Sequence, residues 1–437
     1  MRTKLQYLLI FIIVPLTYGQ TNVNGGIFNN TTWNIGGSPY IVTADVALYP
    51  EYSLTIEPGV TIKFDEGTKL IVRGTLLASA SVGNEITFTS NISNPTKGSW
   101  KGIEIENGQG GKIIASNLIG EFADKFISIL GSTYSDEVIN INNSEIRNCS
   151  YAFYGNDKST SNYSNINNRN LVILDNLNVN NITYVFAYAE NLIITNSAFS
   201  NGEKGITGKE YSFPDNVWVS QKKNITNSEF FNFNESALDF RSGEITESHI
   251  HQNGIGLKLG KWLKIVNSII EYNIIGVEVN FQDEYYQLFS NNKICNNSQY
   301  NFKNTNNHPI YIRNNFWCTD NETDISQTIF DAYDDVNLGI VNFKPFNDSF
   351  VTLNSENFLY DKKEDFIFYP NPVNNEIFFS DDSIKNFEIY SIKGKIIKKG
   401  IIENNKLNLS DLNKGIYLIK IFDINKLQFS IKKLLKI

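Results

Sequence analysis

Two histidines separated by one isoleucine, His249-Ile250-His251, are the side chains of this chain best placed to do chemistry. Along an extended strand successive side chains point to opposite faces, so an inward Ile250 turns both imidazoles outward together. The phrase around them, a Ser two residues ahead of an apolar residue, recurs at Ser228, Ser248 and Ser268, each 20 residues after the last. Stacked at that period, His251 falls between Phe231 and Glu271, and His249 between Glu229 and Ile269. Around the next bend the same count turns Asp239, Lys258 and Glu278 outward. Imidazoles, carboxylates, an ammonium and a phenyl ring on one face could bind a sugar or supply an acid and a base to a glycosidic bond. The plainer account is a mixed polar surface whose alternating charges contribute little individually. The third histidine, His308, precedes Pro309 and reads as a turn residue.

A repeat must position these groups. The phrase reads Asn143-Ser144-Glu145-Ile146, Asn196-Ser197-Ala198-Phe199, Asn227-Ser228-Glu229-Phe230 and Asn267-Ser268-Ile269-Ile270, with looser copies at Asn176 to Val179, Glu247 to Ile250 and Asn291 to Ile294. A period of this length means stacked coils. One inward column runs through Ile146, Val179, Phe199, Phe230, Ile250, Ile270 and Ile294. A second follows through Phe153, Phe186, Ile206, Leu238, Leu257, Val277 and Phe302, and a third precedes each Ser through Ile141, Ile194, Ile225, Ile245, Ile265 and Leu288. Three short strands per coil make an all-β fold of three parallel sheets around a dry interior. Asn and Gly mark the bends, where left-handed backbone angles are needed. Asparagines stacked at one bend would hold successive coils in register at about 4.8 Å each.

Composition narrows the function classes. A net charge of −8 and a pI near 5.2, with no Lys/Arg cluster outside the tail, argue against nucleic acid as a partner. Residues 1–19 read as a signal peptide: Arg2 and Lys4, an apolar run from Leu8 to Leu16, then Thr17-Tyr18-Gly19. That run falls well short of the ~20 apolar residues a membrane span needs, and no transmembrane segment is expected in the mature chain. Cys149, Cys295 and Cys318 are too few for a disulfide framework and lack zinc-finger spacing. A Cys295–Cys318 bridge is one option; burial as small apolar residues is favoured. No residue pattern calls for a metal or a cofactor.

From residue 31 to 346 the chain resembles the right-handed parallel β-helix repeat proteins of the pectin-lyase-like superfamily. The resemblance rests on Trp33, Pro39-Tyr40-Ile41-Val42, Leu54-Thr55-Ile56-Glu57-Pro58-Gly59-Val60, Gly74-Thr75-Leu76, Ile86-Thr87-Phe88-Thr89-Ser90 and Trp100-Lys101-Gly102-Ile103. It implies a fold and no particular activity. The polygalacturonase-like signatures Asn-Thr-Asp, Gly-His-Gly and Arg-Ile-Lys are absent, and Arg147 is far from the Asp239 group. Asn314 to Pro345 looks like a closing segment, in which Ile325, Ile329 and Tyr333 predict a short amphipathic helix over the last coil. Its acidic run, Asp320 to Asp335, lacks the order of a calcium loop and reads as solvated or capping residues.

Composition shifts again at Asp361-Lys362-Lys363-Glu364-Asp365. Beyond it, candidate strands at 376–380, 386–391, 395–399 and 416–422 with breaks between them predict a small β-sandwich. This stretch is similar to the type A C-terminal sorting domain of the type IX secretion system of Bacteroidota. The residues that carry the similarity are Tyr369-Pro370-Asn371-Pro372, Leu407 to Leu412 leading to Lys414-Gly415-Ile416-Tyr417, and the basic ending from Lys432 to Lys436. The resemblance implies type IX machinery as partner and export to the medium or the outer cell surface. The expected division is a signal peptide over 1–19, the β-helix with its capping segments over 20–350, a linker over 351–365 and the sorting domain over 366–437. The expected function is binding or adhesion, with an extracellular glycan or surface ligand as partner. A polysaccharide lyase or glycoside hydrolase on the His249 face, and a structural surface protein without small ligand, are the alternatives.

Overall fold

A computed structural model describes residues 19–131, 137–155, 170–208, 223–279, 281–285, 287–350, 368–379, 384–391, 396–402, 405–423 and 429–437. Residues 1–18 of the expected signal peptide, and the expected linker, lie outside these residues. Two compact units emerge, Met1–Glu356 and Asn357–Ile437.

The first unit is a parallel β-helix. Its strands pair in parallel with the strand one coil earlier and one coil later, giving a single continuous 28-stranded assembly. The first column runs unbroken through the register: Ile146 pairs Val179, Val179 pairs Phe199, and Phe199, Phe230, Ile250, Ile270 and Ile294 follow in turn. All seven are fully buried, each contributing roughly 1.5–3 kcal/mol of apolar burial. The second column is also in register from Phe153 to Phe302. The third needs one correction. Ile265 pairs Phe289, not Leu288, which is 54% exposed; the three-residue step from Ile265 to Ser268 is kept from Phe289 to Asn292, and the alternation of faces along the strand turns Leu288 outward.

Two ladders of left-handed residues explain why asparagine dominates. Asn143, Asn176, Asn196, Asn227, Glu247, Asn267, Asn291 and Asn314 have φ between 49° and 58° at the bend before each outward strand. Asn148, Asn181, Asn201, Asn232, Gln252, Tyr272 and Asn296 do the same at the bend after it, with φ between 53° and 59°. Asparagine tolerates this conformation where most residues pay about 1–2 kcal/mol. Side chains cross-link the rungs, as Asn176 Nδ2 donates to Asn143 Oδ1 at 2.6 Å and Asn227 Nδ2 to Asn196 Oδ1 at 2.8 Å. The serines form a second, buried ladder. The amides of Ser197, Ser228 and Ser248 donate to the hydroxyls of Ser228, Ser248 and Ser268 at 3.2, 3.2 and 3.3 Å. Asn292 Oδ1 then takes over, accepting from the Ser268 amide at 2.9 Å. A parallel interior ladder runs through Asn253, Asn273 and Asn297.

The closing segment departs from expectation in two places. The helix spans only Glu322–Gln327, capped by Asn321, with Ile325 buried; Ile329 belongs to a strand paired with Phe302, and Tyr333 is 88% exposed. The periodicity of four therefore covered one helical turn, a strand and a loop. Asp331 is buried and accepts from the amides of Tyr333 and Val341 at 2.9 and 2.7 Å, so it caps a turn. Cys295 and Cys318 form a disulfide rather than lying free, because a strand end and a left-handed turn bring their Cα atoms to 6.0 Å; Cys149 is free and buried.

The second unit contains two antiparallel sheets of three and four strands. Phe368, Val373, Ile377, Phe379, Leu407 and Leu409 form one buried cluster with Phe387, Ile389, Ile419, Ile421 and Leu434. Strands Lys406–Asn408 and Phe429–Lys436 add to those expected.

Candidate functional site

The outward strand of three successive coils builds the site. Strand Glu229–Phe233 pairs with His249–His251, which pairs with Ile269–Glu271; Phe231, His251 and Glu271 are aligned, as are Glu229, His249 and Ile269. Ile250, locked inward between Phe230 and Ile270, fixes both histidines on the outer face. The rings of His249 and His251 lie 4.0 Å apart between centroids, and His251 stacks on Phe231 at 5.2 Å with the planes 3° apart.

Glu229 is the hub. Its Oε1 is 2.8 Å from His251 Nε2 and 3.8 Å from His249 Nδ1. The remaining nitrogens face other groups: His251 Nδ1 is 3.1 Å from Gln252 Oε1, and His249 Nε2 is 3.3 Å from Glu271 Oε1. Glu271 in turn lies 2.7 Å from Lys293. The hydrogen bond from His251 holds the Glu229 carboxyl below the usual range. Burial, reinforced by the neighbouring His251, lowers the pKa of His249, whose side chain keeps 35% of its exposure. One ligand atom from each of Glu229, His249 and His251 comes within 4.8 Å of the others.

The residues expected to form one patch separate into two groups. Phe231, His249, His251 and Glu271 are together, although Glu271 is buried against Lys293 and His249 rather than freely outward. Asp239, Lys258 and Glu278 are aligned with one another on strands beyond the bend at Gln252 to Gly254. There Lys258 pairs with Asp239 at 3.3 Å and Lys303 with Glu278 at 2.9 Å, a ladder of alternating charges. Glu229 was visible in the sequence only as a stacking neighbour of His249; its place as hub depends on the direction of its side chain.

The bend beside the histidines adds further groups. Gln252 and Tyr272 replace asparagine in the left-handed ladder, and Tyr272 is 58% exposed. Farther along the same ladder, an open polar depression of about 430 Å³ is lined by residues including Lys97, Asn181, Thr183, Asn201, Glu203 and Asn232. The sequence signal was available: from Asn143 to Asn291 each residue of the first ladder is followed five positions later by an asparagine, except that Gln252 follows Glu247 and Tyr272 follows Asn267.

In the second unit, Asn371 joins the start of the domain to its last strand: Nδ2 donates to the Lys433 carbonyl at 2.7 Å and Oδ1 accepts from the Leu435 amide at 2.9 Å. Pro370 and Pro372 flank it, both after cis peptide bonds, and the Tyr369 ring lies 6.3 Å from that of Phe378. Lys414-Gly415 leads into the strand Gly415–Asp423, where the Tyr417 hydroxyl donates to the Asn413 carbonyl at 2.9 Å. Residues 367–436 match the family model described as the secretion system C-terminal sorting domain. No curated protein and no solved structure matches the chain. Among the described residues no helix is long and apolar enough to cross a membrane. The chain is a secreted or cell-surface parallel β-helix protein that carries a type IX secretion sorting domain at its C-terminal end.

Proposed function

We propose that the β-helix acts after export as a binding module for an extracellular glycan, through the strip formed by Asn201, Asn232, Gln252 and Tyr272 and the adjoining Phe231–His251 face. The observation that carries this reading is the break in the left-handed ladder. At Gln252 (φ 57°) and Tyr272 (φ 58°) the chain keeps residues that are strained in this conformation, where its neighbours use asparagine. Such strain, about 1–2 kcal/mol per residue, persists where the side chain is needed. Amide groups match the donors and acceptors of sugar hydroxyls, and an exposed tyrosine offers an apolar face with a polar edge.

Retention on a panel of immobilised polysaccharides tests the reading, with release of new reducing or unsaturated ends scored in parallel. Tyr272→Asn is expected to stabilise the fold and weaken retention. Retention unchanged in Tyr272→Asn and Gln252→Asn would refute the strip as the binding surface. Product formation abolished by His251→Ala would favour the lyase or hydrolase alternative.

A further inference from the structure

We propose that Glu229, His249 and His251 form a site for a divalent first-row transition cation of the zinc class. The donor atoms already converge. On a tetrahedral centre with bonds of about 2.0–2.1 Å, neighbouring donors lie roughly 3.3 Å apart. Glu229 Oε1 is 2.8 Å from His251 Nε2 and 3.8 Å from His249 Nδ1, so the observed spacings bracket that value. Small side-chain shifts bring all three to bonding distance. The backbone need not move, because Phe230, Ile250 and Ile270 clamp the strands that carry them.

A second observation concerns the far side of each imidazole. A metal-bound histidine characteristically gives its other N–H to a carboxylate, an amide or a carbonyl, which sets the tautomer and aims the lone pair. Here Gln252 Oε1 stands at His251 Nδ1, and Glu271 Oε1 at His249 Nε2. Glu271 is anchored by Lys293. His249 Nε2 is buried without an aligned hydrogen bond, 3.3 Å from Glu271 Oε1, so its proton has a carboxylate partner at hand when Nδ1 faces a cation. In the cation-free chain the hydrogen bond between His251 and Glu229 places a proton in the same gap, and binding would displace it, leaving the neutral ring with its proton on Nδ1 toward Gln252.

Two nitrogens and one carboxylate suit zinc, cobalt, nickel or copper and not calcium or magnesium, which take oxygen ligands. Three protein ligands leave a fourth position for water or an external donor. The inference is independent of the glycan reading, since its test reads the metal directly. After chelator treatment, the purified protein is titrated with Co²⁺, followed by visible absorption, and the cobalt is then displaced by Zn²⁺. One equivalent is expected to bind at micromolar concentration, with Zn²⁺ also raising the melting temperature. His249→Ala and His251→Ala should each abolish both signals, Glu271→Gln should weaken binding about 10–100-fold, and His308→Ala should change neither. Ca²⁺ should not displace the cobalt. Metal-free melting curves establish that each variant is folded, with His251→Gln standing in for an alanine variant that is not. Failure to bind one equivalent at micromolar metal, or binding that survives both histidine substitutions in folded variants, would overturn the proposal.

Discussion

Replacing Asn273 by alanine tests whether the interior amide ladder holds the site-bearing coils together. Asn273 is buried, its Nδ2 donates to the carbonyls of Ile250 and Glu271 at 3.1 Å each and to Asn297 Oδ1 at 2.9 Å, and its Oδ1 accepts from the Asn253 amide at 3.0 Å and from Asn253 Nδ2 at 2.9 Å. Alanine removes all of these. A typical hydrogen bond is worth about 1 kcal/mol net, and a buried donor left without a partner costs about 1–3 kcal/mol. Rearrangement within the ladder recovers part of this, so the expected loss is about 2–4 kcal/mol. Because stability in a stacked-coil protein is close to a sum over neighbours, the loss should be local. Native-state hydrogen exchange should show the strands His249–His251 and Ile269–Glu271 opening more readily, with little change near Leu54–Ile56. The exposed rung Asn232→Gly, which gives up one bond of 3.1 Å to Asn201, should cost under about 1 kcal/mol. A local loss below about 1 kcal/mol in Asn273→Ala, or one spread evenly over the chain, would refute the ladder's role.

Three further outcomes follow from the same structure. Burial lowers the pKa of Lys223 from its ordinary 10.5 to about 8, with the Glu190 carboxylate opposing the shift. Between those values the unfolded chain binds the proton and the folded chain does not, so stability should rise from pH 8 to 10.5 relative to Lys223→Met; a flat difference in urea midpoints would contradict this. Removing the Cys295–Cys318 bridge, which closes a 23-residue separation, should lower stability by about 3 kcal/mol in Cys318→Ser, and equal melting of variant and parent would argue against it. Deleting residues 366–437 should trap the protein in the periplasm; its arrival in the medium or on the outer surface would contradict export through the sorting domain.

Much of the coil geometry was legible because it depends on short-range rules: strand alternation placed Ile250 inward, and the 20-residue steps paired Phe230 with Ile250 and Ile250 with Ile270. Leu288 was misplaced although the three-residue step from Ile265 to Ser268 repeats from Phe289 to Asn292, and periodicity misled where it crossed several elements, from Ile325 to Tyr333. The candidate site was half visible. The alignment of Phe231, His251 and Glu271 follows from register, but the turn of Glu229 toward both imidazoles and the capture of Glu271 by Lys293 are matters of side-chain direction. The pairing of Cys295 with Cys318 also follows from register, because the 23-residue step that sets Asn292 beside Asn315 and Lys293 beside Phe316 carries Cys295 to Cys318, a step longer than the 20-residue ones that order the coils around His249.

The register of the stacked coils underlies both the binding strip and the cation site, and a distance between spin labels measures it most directly. Asn142 pairs Asp175, and Thr195, Thr226, Thr246 and Val266 follow in turn, so cysteines introduced at Asn142 and Val266 stand five coil steps apart. At about 4.8 Å per step the backbone separation is about 24 Å. A dipolar distance distribution centred near that value, once label length is allowed for, is the predicted result; one centred beyond about 40 Å would contradict the stacking and with it the assembly of Glu229, His249 and His251.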